Sequence, residues 1–252
     1  MNPNTVLHLN QLNREFYQQT ANSFDQTRQY SWQGWQKLLP FISQLATNHQ
    51  PLTILDLGCG NARFAGFLQE QALPVKYHGV DFSQDLLQKA KDSLTRLKIE
   101  YQLTQLDIVQ QLIDGKLPTT LNQQYNLIVA FGVLHHIPSF QLRAAFFQQL
   151  ATLLQDHQAK LIVSAWQFAT KDRFKKKMIN PTKIGIDPKE LENNDYILDW
   201  QQHPTAFRYC HHLDQAELEQ LLSTVKTVQL EETFLADGKS GQLNRYLVLS
   251  AK

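Results

Sequence analysis

Five short apolar runs, at 53–57, 75–80, 100–106, 125–131 and 160–165, alternate along the chain with stretches of helical periodicity. None of the runs has a clean period of two, so each reads as a strand with apolar residues on both faces. Strands of that kind are buried in a mostly parallel sheet with helices packed on either side. The helical stretches carry their own start signals. Ser83 precedes Leu86, Leu87, Ala90, Leu94 and Leu97, and Ser139 precedes Leu142, Phe146, Leu150 and Leu153. Asp214 with Glu217 three residues on has the form of a capping box, followed by Leu218, Leu221 and Leu222.

The alternation stops near the end. Runs at 225–235 and 245–250 are joined by a segment too short and too rich in Gly and Asp for a helix, which predicts an antiparallel hairpin. The fold class is therefore α/β: a Rossmann-like, mostly parallel seven-stranded sheet with helices on both faces and a C-terminal antiparallel hairpin. Two regions fall outside this frame. Residues 1–45 form a helical N-terminal extension or lid, with Leu12, Phe16, Phe24, Trp32 and Trp35 in its helical part. Residues 46–252 form the main domain, and within it the long connection 167–212, with Pro181, Pro188 and Pro204, reads as a substrate wall.

Lys and Arg number 24 against 23 Asp and Glu, so net charge does not by itself argue for a nucleic-acid partner; a local patch would have to serve. A basic n-region and an apolar h-region are both missing from the start of the chain, and no apolar run approaches the roughly 18 to 20 residues that span a bilayer. Cys59 and Cys210 lie far apart, one of them in a glycine turn, and read as reduced thiols of a cytoplasmic protein.

The chemistry concentrates at Asp56, Leu57, Gly58, Cys59, Gly60, Asn61, Ala62 and Arg63, a strand, a Gly-x-Gly turn and the start of a helix. Glycine serves where backbone bends sharply or approaches a ligand closely, and the helix start offers free N–H groups. Asp81 ends the next strand, 23 residues after Gly58, at the distance where a carboxylate reaches a nucleoside ribose. Asp107 ends the third strand. Asp56, just before the turn, is unhelpful to a pyrophosphate and so argues against a nicotinamide dinucleotide. A ligand with an ammonium and a sulfonium tolerates acids.

Asp56 to Asn61 resembles motif I of the class I S-adenosylmethionine-dependent methyltransferases, with Ala62 in place of the usual third glycine. The resemblance covers about residues 50–165. It implies that Gly58, Cys59 and Gly60 approach the methionine part of S-adenosylmethionine, with Asp56 before them. It further implies that Asp81 binds the ribose, that Asp107 and Ile108 frame the adenine beside Phe82, and that Phe131 lines the pocket. S-adenosylhomocysteine is the product. His135 and His136, after the fourth strand, stand where an acceptor would be positioned. A two-His zinc site is not expected, because neighbouring residues point apart and no Cys or acid is spaced to complete it.

A closer resemblance runs through the accessory regions. Asn13 to Tyr17, Phe24 to Arg28, Trp32, Val133 to Ile137, Ala165-Trp166, Asp199-Trp200 and Arg208 to His211 followed by Glu217-Leu218 are similar, in order, to the tRNA methyltransferases that esterify wobble 5-carboxymethyluridine. That family implies O-methylation of a uridine carboxylate, with Arg28 and Arg208 binding carboxylate or phosphate. Trp166 and His211 stand with His136 on the acceptor side, and Tyr17 closes the cofactor pocket. The basic cluster Lys171, Arg173, Lys175, Lys176 and Lys177 then suits an RNA backbone. Cys210 stands where that family has an aromatic, residues 183–194 have no counterpart, and the small activating protein of the eukaryotic enzymes leaves no mark here. Two alternatives stay open: a small-metabolite methyltransferase with the same cofactor site, and a non-catalytic cofactor-binding subunit.

Overall fold

The computed structural model describes residues 1–26, 30–46, 50–115, 119–121, 123–200 and 203–252, with backbone alone at 21–26, 119 and 203–205. Two helices, α1 (Pro3–Gln26) and α2 (Gln33–Ser43), lead into β1 (Leu52–Leu57), α3 (Arg63–Glu70), β2 (Val75–Asp81), α4 (Gln84–Leu97) and β3 (Glu100–Gln105). Next come α5 (Ile108–Ile113), β4 (Leu127–Phe131), α6 (Phe140–Ala151), β5 (Lys160–Trp166) and α7 (Asp172–Lys175). The chain ends with β6 (Met178–Ile179), β7 (Asp195–Trp200), β8 (His203–His211), α8 (Gln215–Thr224), β9 (Val228–Ala236) and β10 (Asn244–Ala251).

The main sheet has the order β3-β2-β1-β4-β5-β10-β9, and β10 is antiparallel to both of its neighbours. Its inner strands β1 and β4 lack a polar face for a visible reason, whereas the edge strand β3 alternates exposed Glu100 and Gln102 with half-buried Tyr101 and Leu103. In β1, Leu52 and Ile54 pack against α2, α3 and α4, whereas Leu55 and Leu57 pack against α5, α6 and α8. β4 does the same, with Leu127 and Val129 on the first face and Ile128 and Ala130 on the second. Both halves of the period of two are apolar because both faces are covered.

The expected caps form. Ser83, Ser139 and Asp214 accept from the N–H groups of Leu86, Leu142 and Glu217. The capping box at Asp214 is only half made. Glu217 does not reach back to its cap but turns to Arg143 and His211, two cationic partners that outcompete one backbone N–H.

The connection after β5 builds a second sheet, β6-β7-β8, fully antiparallel. Helix α1 lies against β8, held by Asn13 Oδ1, which accepts from Tyr209 N–H at 2.8 Å. The stretch 183–194 fastens this sheet down: Glu190 accepts from the Thr5 hydroxyl on α1, and Glu192 accepts from Phe140 N–H at the start of α6. No helix among the described residues is long and apolar enough to cross a membrane.

Candidate active site

Strand β1 delivers the chain into a turn with three left-handed residues, Gly58 (φ +68°), Gly60 (φ +56°) and Ala62 (φ 60°). A Cβ at Gly58 would lie 2.4 Å from the Val133 side chain, so both conformation and space demand glycine there. Ala62 is not as neutral a replacement as its size suggests. A left-handed alanine costs about 1–2 kcal/mol. The turn is tied to β2, because the N–H groups of Gly58 and Cys59 donate to Val80 O at 2.7 and 3.0 Å. Asp81 finishes the tie: its Oδ2 accepts from Gly60 N–H at 3.0 Å and its Oδ1 from Ser83 N–H at 2.9 Å. Burial pushes this carboxyl above its usual range, with the N–H bonds opposing.

From the turn, a cleft of about 590 Å³ crosses the carboxyl ends of β2, β3 and β4 and reaches the accessory sheet. Its volume accommodates a nucleoside cofactor together with part of an acceptor. Gly58, Cys59, Gly60, Asp81, Phe82, Asp107, Ile108, Phe131 and Tyr17 all line it, and so do His135, His136, Trp166 and Arg208. The roof is a polar stripe on α1: Asn10, Asn13, Arg14 and Tyr17. Their spacing of i, i+3, i+4 and i+7 puts all four on one helix face, a signal open to sequence reading that an apolar search passes over. Asn10 Nδ2 donates to Asp107 Oδ2 at 2.9 Å, and Arg14 lies 3.6 Å from the same oxygen. Asp107 Oδ1 meanwhile caps α5 through Gln110 N–H.

Two predicted residues stand elsewhere. Asp56 does not line the cleft. Its Oδ2 accepts from the Tyr77 hydroxyl at 2.5 Å, and it borders a recess of about 40 Å³ shared with Gly58, Arg63, Trp32 and Trp35. Burial raises the Asp56 carboxyl to about 7 against the opposing Tyr77 bond. His211 is not on the acceptor side. It is buried behind β8 between Asp195 and Glu217, since odd positions of that strand face away from Arg208. Arg28 lies outside the described residues, as does the Phe24 side chain.

The histidine pair divides its work. His136 Nδ1 lies 3.0 Å from Tyr209 O, and its Nε2 lies 2.7 Å from the Tyr17 hydroxyl. The His135 ring packs 5.3 Å from Trp166. The fold also brings the Cys210 thiol, a ligand type that sequence spacing did not offer, within 4.8 Å of their nitrogens. Burial pushes that thiol up to about 12, and both His136 nitrogens already face hydrogen-bonding partners, the Tyr209 carbonyl and the Tyr17 hydroxyl.

Arg208 is a buried cation in the cleft lining. It is 6% exposed and ringed by Phe16, Trp166 and Trp200, with centroids 5.0, 4.8 and 5.7 Å from Cζ. Its Nε makes no hydrogen bond, and no described carboxylate lies within ion-pair distance. Of the basic cluster, only Arg173 reaches the cleft, at its rim beside Phe174. Lys175 pairs with Asp172 at 3.4 Å, Lys177 lies over the Trp200 ring, and Lys171 and Lys176 stay off the lining.

A family profile described as a methyltransferase domain matches residues 24–225. No curated protein matches the chain. Among solved structures, an S-adenosylmethionine-dependent methyltransferase from Clostridium acetobutylicum superimposes with a TM-score of 0.62 at 13% identity, over 93% of this chain and 98% of that one. The CcbJ methyltransferase from Streptomyces caelestis gives 0.55 at 17% identity, over 84% and 87%. A structure described as a DhpI-SAM-HEP complex gives 0.60 at 13% identity, over 99% of both chains. At these identities the likeness shows the fold.

Proposed function

The chain belongs to the methyltransferase-domain family, and on that premise we propose that it transfers a methyl group from S-adenosylmethionine to a carboxylate, that of a modified wobble uridine in tRNA. The cleft fits the donor. Gly58 and Gly60 leave backbone bare at the turn, and a Cβ at Gly60 would enter open space. Asp81 keeps lone pairs beyond the two N–H groups it accepts from, which suits ribose hydroxyls. The recess between Asp56 and Arg63 offers an acid and a base to an amino-acid end. Bound there, S-adenosylmethionine supplies a methyl group on a sulfonium, which a carboxylate takes in line with no proton to move.

The single observation that carries the acceptor is Arg208. A buried guanidinium with an unmade hydrogen bond is costly unless a ligand completes it, and guanidinium and carboxylate match in plane and charge. The histidine pair agrees with an acceptor that arrives ionised. His136 Nδ1 faces a carbonyl, which only accepts, so in the neutral ring Nε2 holds the lone pair, and the Tyr17 hydroxyl already faces it. For tRNA in particular, the support is the order of the accessory segments and the basic cluster beside the mouth. The two cysteines, both free, suit a cytoplasmic setting.

The test is nucleoside mass spectrometry of tRNA from cells with and without the gene. It is paired with labelled methyl transfer to the tRNA of the deleted strain. The expected label is released as methanol by mild alkali, as an ester is. Alkali-stable label would overturn the carboxylate, and label on small carboxylates but never on RNA would replace tRNA with a metabolite. Near-balanced net charge is what favours that second reading.

A further inference from the structure

We infer that His211 is a positioning residue for the acceptor site: together with Asp195, Glu217 and Arg143 it clamps the back of β8, so that the front of the same strand presents Arg208 to the cleft. The inference takes the Arg208 face as the acceptor side and so rests on the function proposed above.

Strand geometry makes the link. Side chains alternate along β8, so Arg208 and Cys210 share one face and Tyr209 and His211 share the other. His211 Nδ1 lies 2.7 Å from Asp195 Oδ1, and Nε2 lies 2.6 Å from Glu217 Oε2. Ionised carboxylate oxygens only accept, so both ring nitrogens carry hydrogen and the ring is an imidazolium. Glu217 also accepts from Arg143 Nε at 2.7 Å. Arg143 donates onward to Glu192 at 3.0 Å and to Ile137 O at 3.1 Å. That last bond ties the network to the loop carrying His135 and His136. One side chain therefore joins β7, β8 and α8, and through Arg143 reaches α6 and the floor of the acceptor chamber.

The charges facing His211 come from every element around it. Asp195 lies on β7 and accepts from the Tyr209 hydroxyl, Glu217 lies on α8, and Arg143 lies on α6. Glu192 precedes β7 and has the chain's amino group 3.8 Å away. The adjacent His212 is held low by burial. With His211 protonated, three cations meet three carboxylates. Removing its proton leaves a buried excess of negative charge, the arrangement that buried ion clusters tolerate least. Burial works to lower the His211 ring, but its two carboxylate hydrogen bonds outweigh that and hold it above the ordinary histidine value. A raised folded-state value means that the clamp is intact through the ordinary histidine range. It is lost as pH rises through the folded-state value.

The experiment uses the full chain with S-adenosylhomocysteine bound. Imidazole resonances are followed by NMR across pH, with the His211 signal assigned from its absence in His211→Gln. The expected midpoint lies above the ordinary histidine value. Beyond it, hydrogen exchange in β7 and β8 is expected to rise at least tenfold while β1, β2 and β4 stay protected. With tRNA from the deleted strain as acceptor, KM is expected to rise with the same midpoint while kcat changes less than twofold. His211→Gln should leave S-adenosylhomocysteine affinity equal to the parent's at each pH. His211→Gln should show the high KM at every pH, and Glu217→Gln should move the midpoint down. A midpoint at or below the ordinary value overturns the inference, as does wild-type pH dependence in His211→Gln. If no tRNA is labelled, the proposed acceptor fails, while resonances and exchange still decide the clamp.

Discussion

The Tyr17 hydroxyl lies 2.7 Å from His136 Nε2, while the Nδ1 of the same ring lies 3.0 Å from the Tyr209 carbonyl. A carbonyl cannot donate, so the neutral ring carries its hydrogen on Nδ1 and Tyr17 donates to Nε2. The imidazole thus links α1, the loop after β4 and β8. Tyr17 meanwhile packs edge-on against Phe82, 5.9 Å away on the cofactor side.

A linking role predicts modest kinetics. Tyr17→Phe is expected to lower kcat/KM about fivefold, the equivalent of one hydrogen bond of ~1 kcal/mol. The pH–rate profile should keep its shape. A loss of a thousandfold or more, or a new basic limb in the profile, would make the pair a proton-transfer device instead.

Asp81 carries a heavier load, because it holds Gly60 and Ser83 as well as facing the cleft. Asp81→Ala leaves two buried N–H groups unpaired. It is expected to weaken S-adenosylhomocysteine binding by about 2–3 kcal/mol, or roughly a hundredfold, read by calorimetry. Unchanged affinity would remove the cofactor-site assignment.

Asp56 is expected to give the site a pH dependence of its own. Its carboxyl titrates near 7 in the folded chain, well above its unfolded value, so its contribution to stability is fullest in acid. That contribution is lost as pH rises from about 4 through 7. Asp56→Asn, which keeps an acceptor for Tyr77, should therefore be more stable than the parent at pH 8, by an amount on the order of 2 kcal/mol. Ligand binding runs the other way. If the ammonium end of S-adenosylhomocysteine sits near this acid, affinity rises between pH 6 and 8 in the parent and stays flat in Asp56→Asn. Denaturant melts and titration calorimetry at both pH values separate the two effects.

The main sheet was legible because covering both faces of a strand leaves a composition, not a contact, to be read. The same holds for the glycine turn, whose φ angles belong to the residue type. The fate of His211 was hidden because alternation along 207–211 defines two faces without saying which one meets the cleft. The cage around Arg208 was hidden for a different reason. Phe16, Trp166, Trp200 and Arg208 come from α1, β5, β7 and β8, and no local pattern joins them. Asp56 shows the limit of motif spacing, which put an acid beside the turn but could not anticipate Tyr77 claiming one of its oxygens.

Two left-handed alanines offer a test of local strain. Ala72, exposed just past α3 with φ 54°, closes the helix by donating to Gln69 O while Leu73 N–H reaches Leu68 O. Glycine there removes about 1–2 kcal/mol of conformational strain against a cost of about 0.4–1 in the unfolded chain. Ala72→Gly should therefore stabilise by roughly 0.5–1 kcal/mol in denaturant melts. Ala62→Gly has the same backbone gain but loses a methyl group that is 1% exposed, a burial worth about 0.8 kcal/mol. Its expected change is near zero, and equal stabilisation by both would show that the Ala62 methyl contributes nothing.

The basic cluster separates RNA from metabolite without reference to chemistry. Lys175 and Lys176 are exposed on and just after α7, outside the cleft lining, whereas Arg173 and Phe174 stand at its rim. Cations in that position contact an acceptor only if it extends beyond the cleft. For tRNA, replacing both lysines with alanine should reduce the slope of log affinity against log salt by about 1.5, since each phosphate contact contributes roughly 0.7 to 0.9. S-adenosylhomocysteine binding should not change. Filter binding between 50 and 200 mM salt, values chosen to span about the range where phosphate contacts dominate, reads this directly. A small acceptor enclosed by Arg208, Trp166 and Trp200 would be indifferent to both substitutions, so an unchanged slope and an unchanged KM together would move the acceptor from RNA to a free carboxylate.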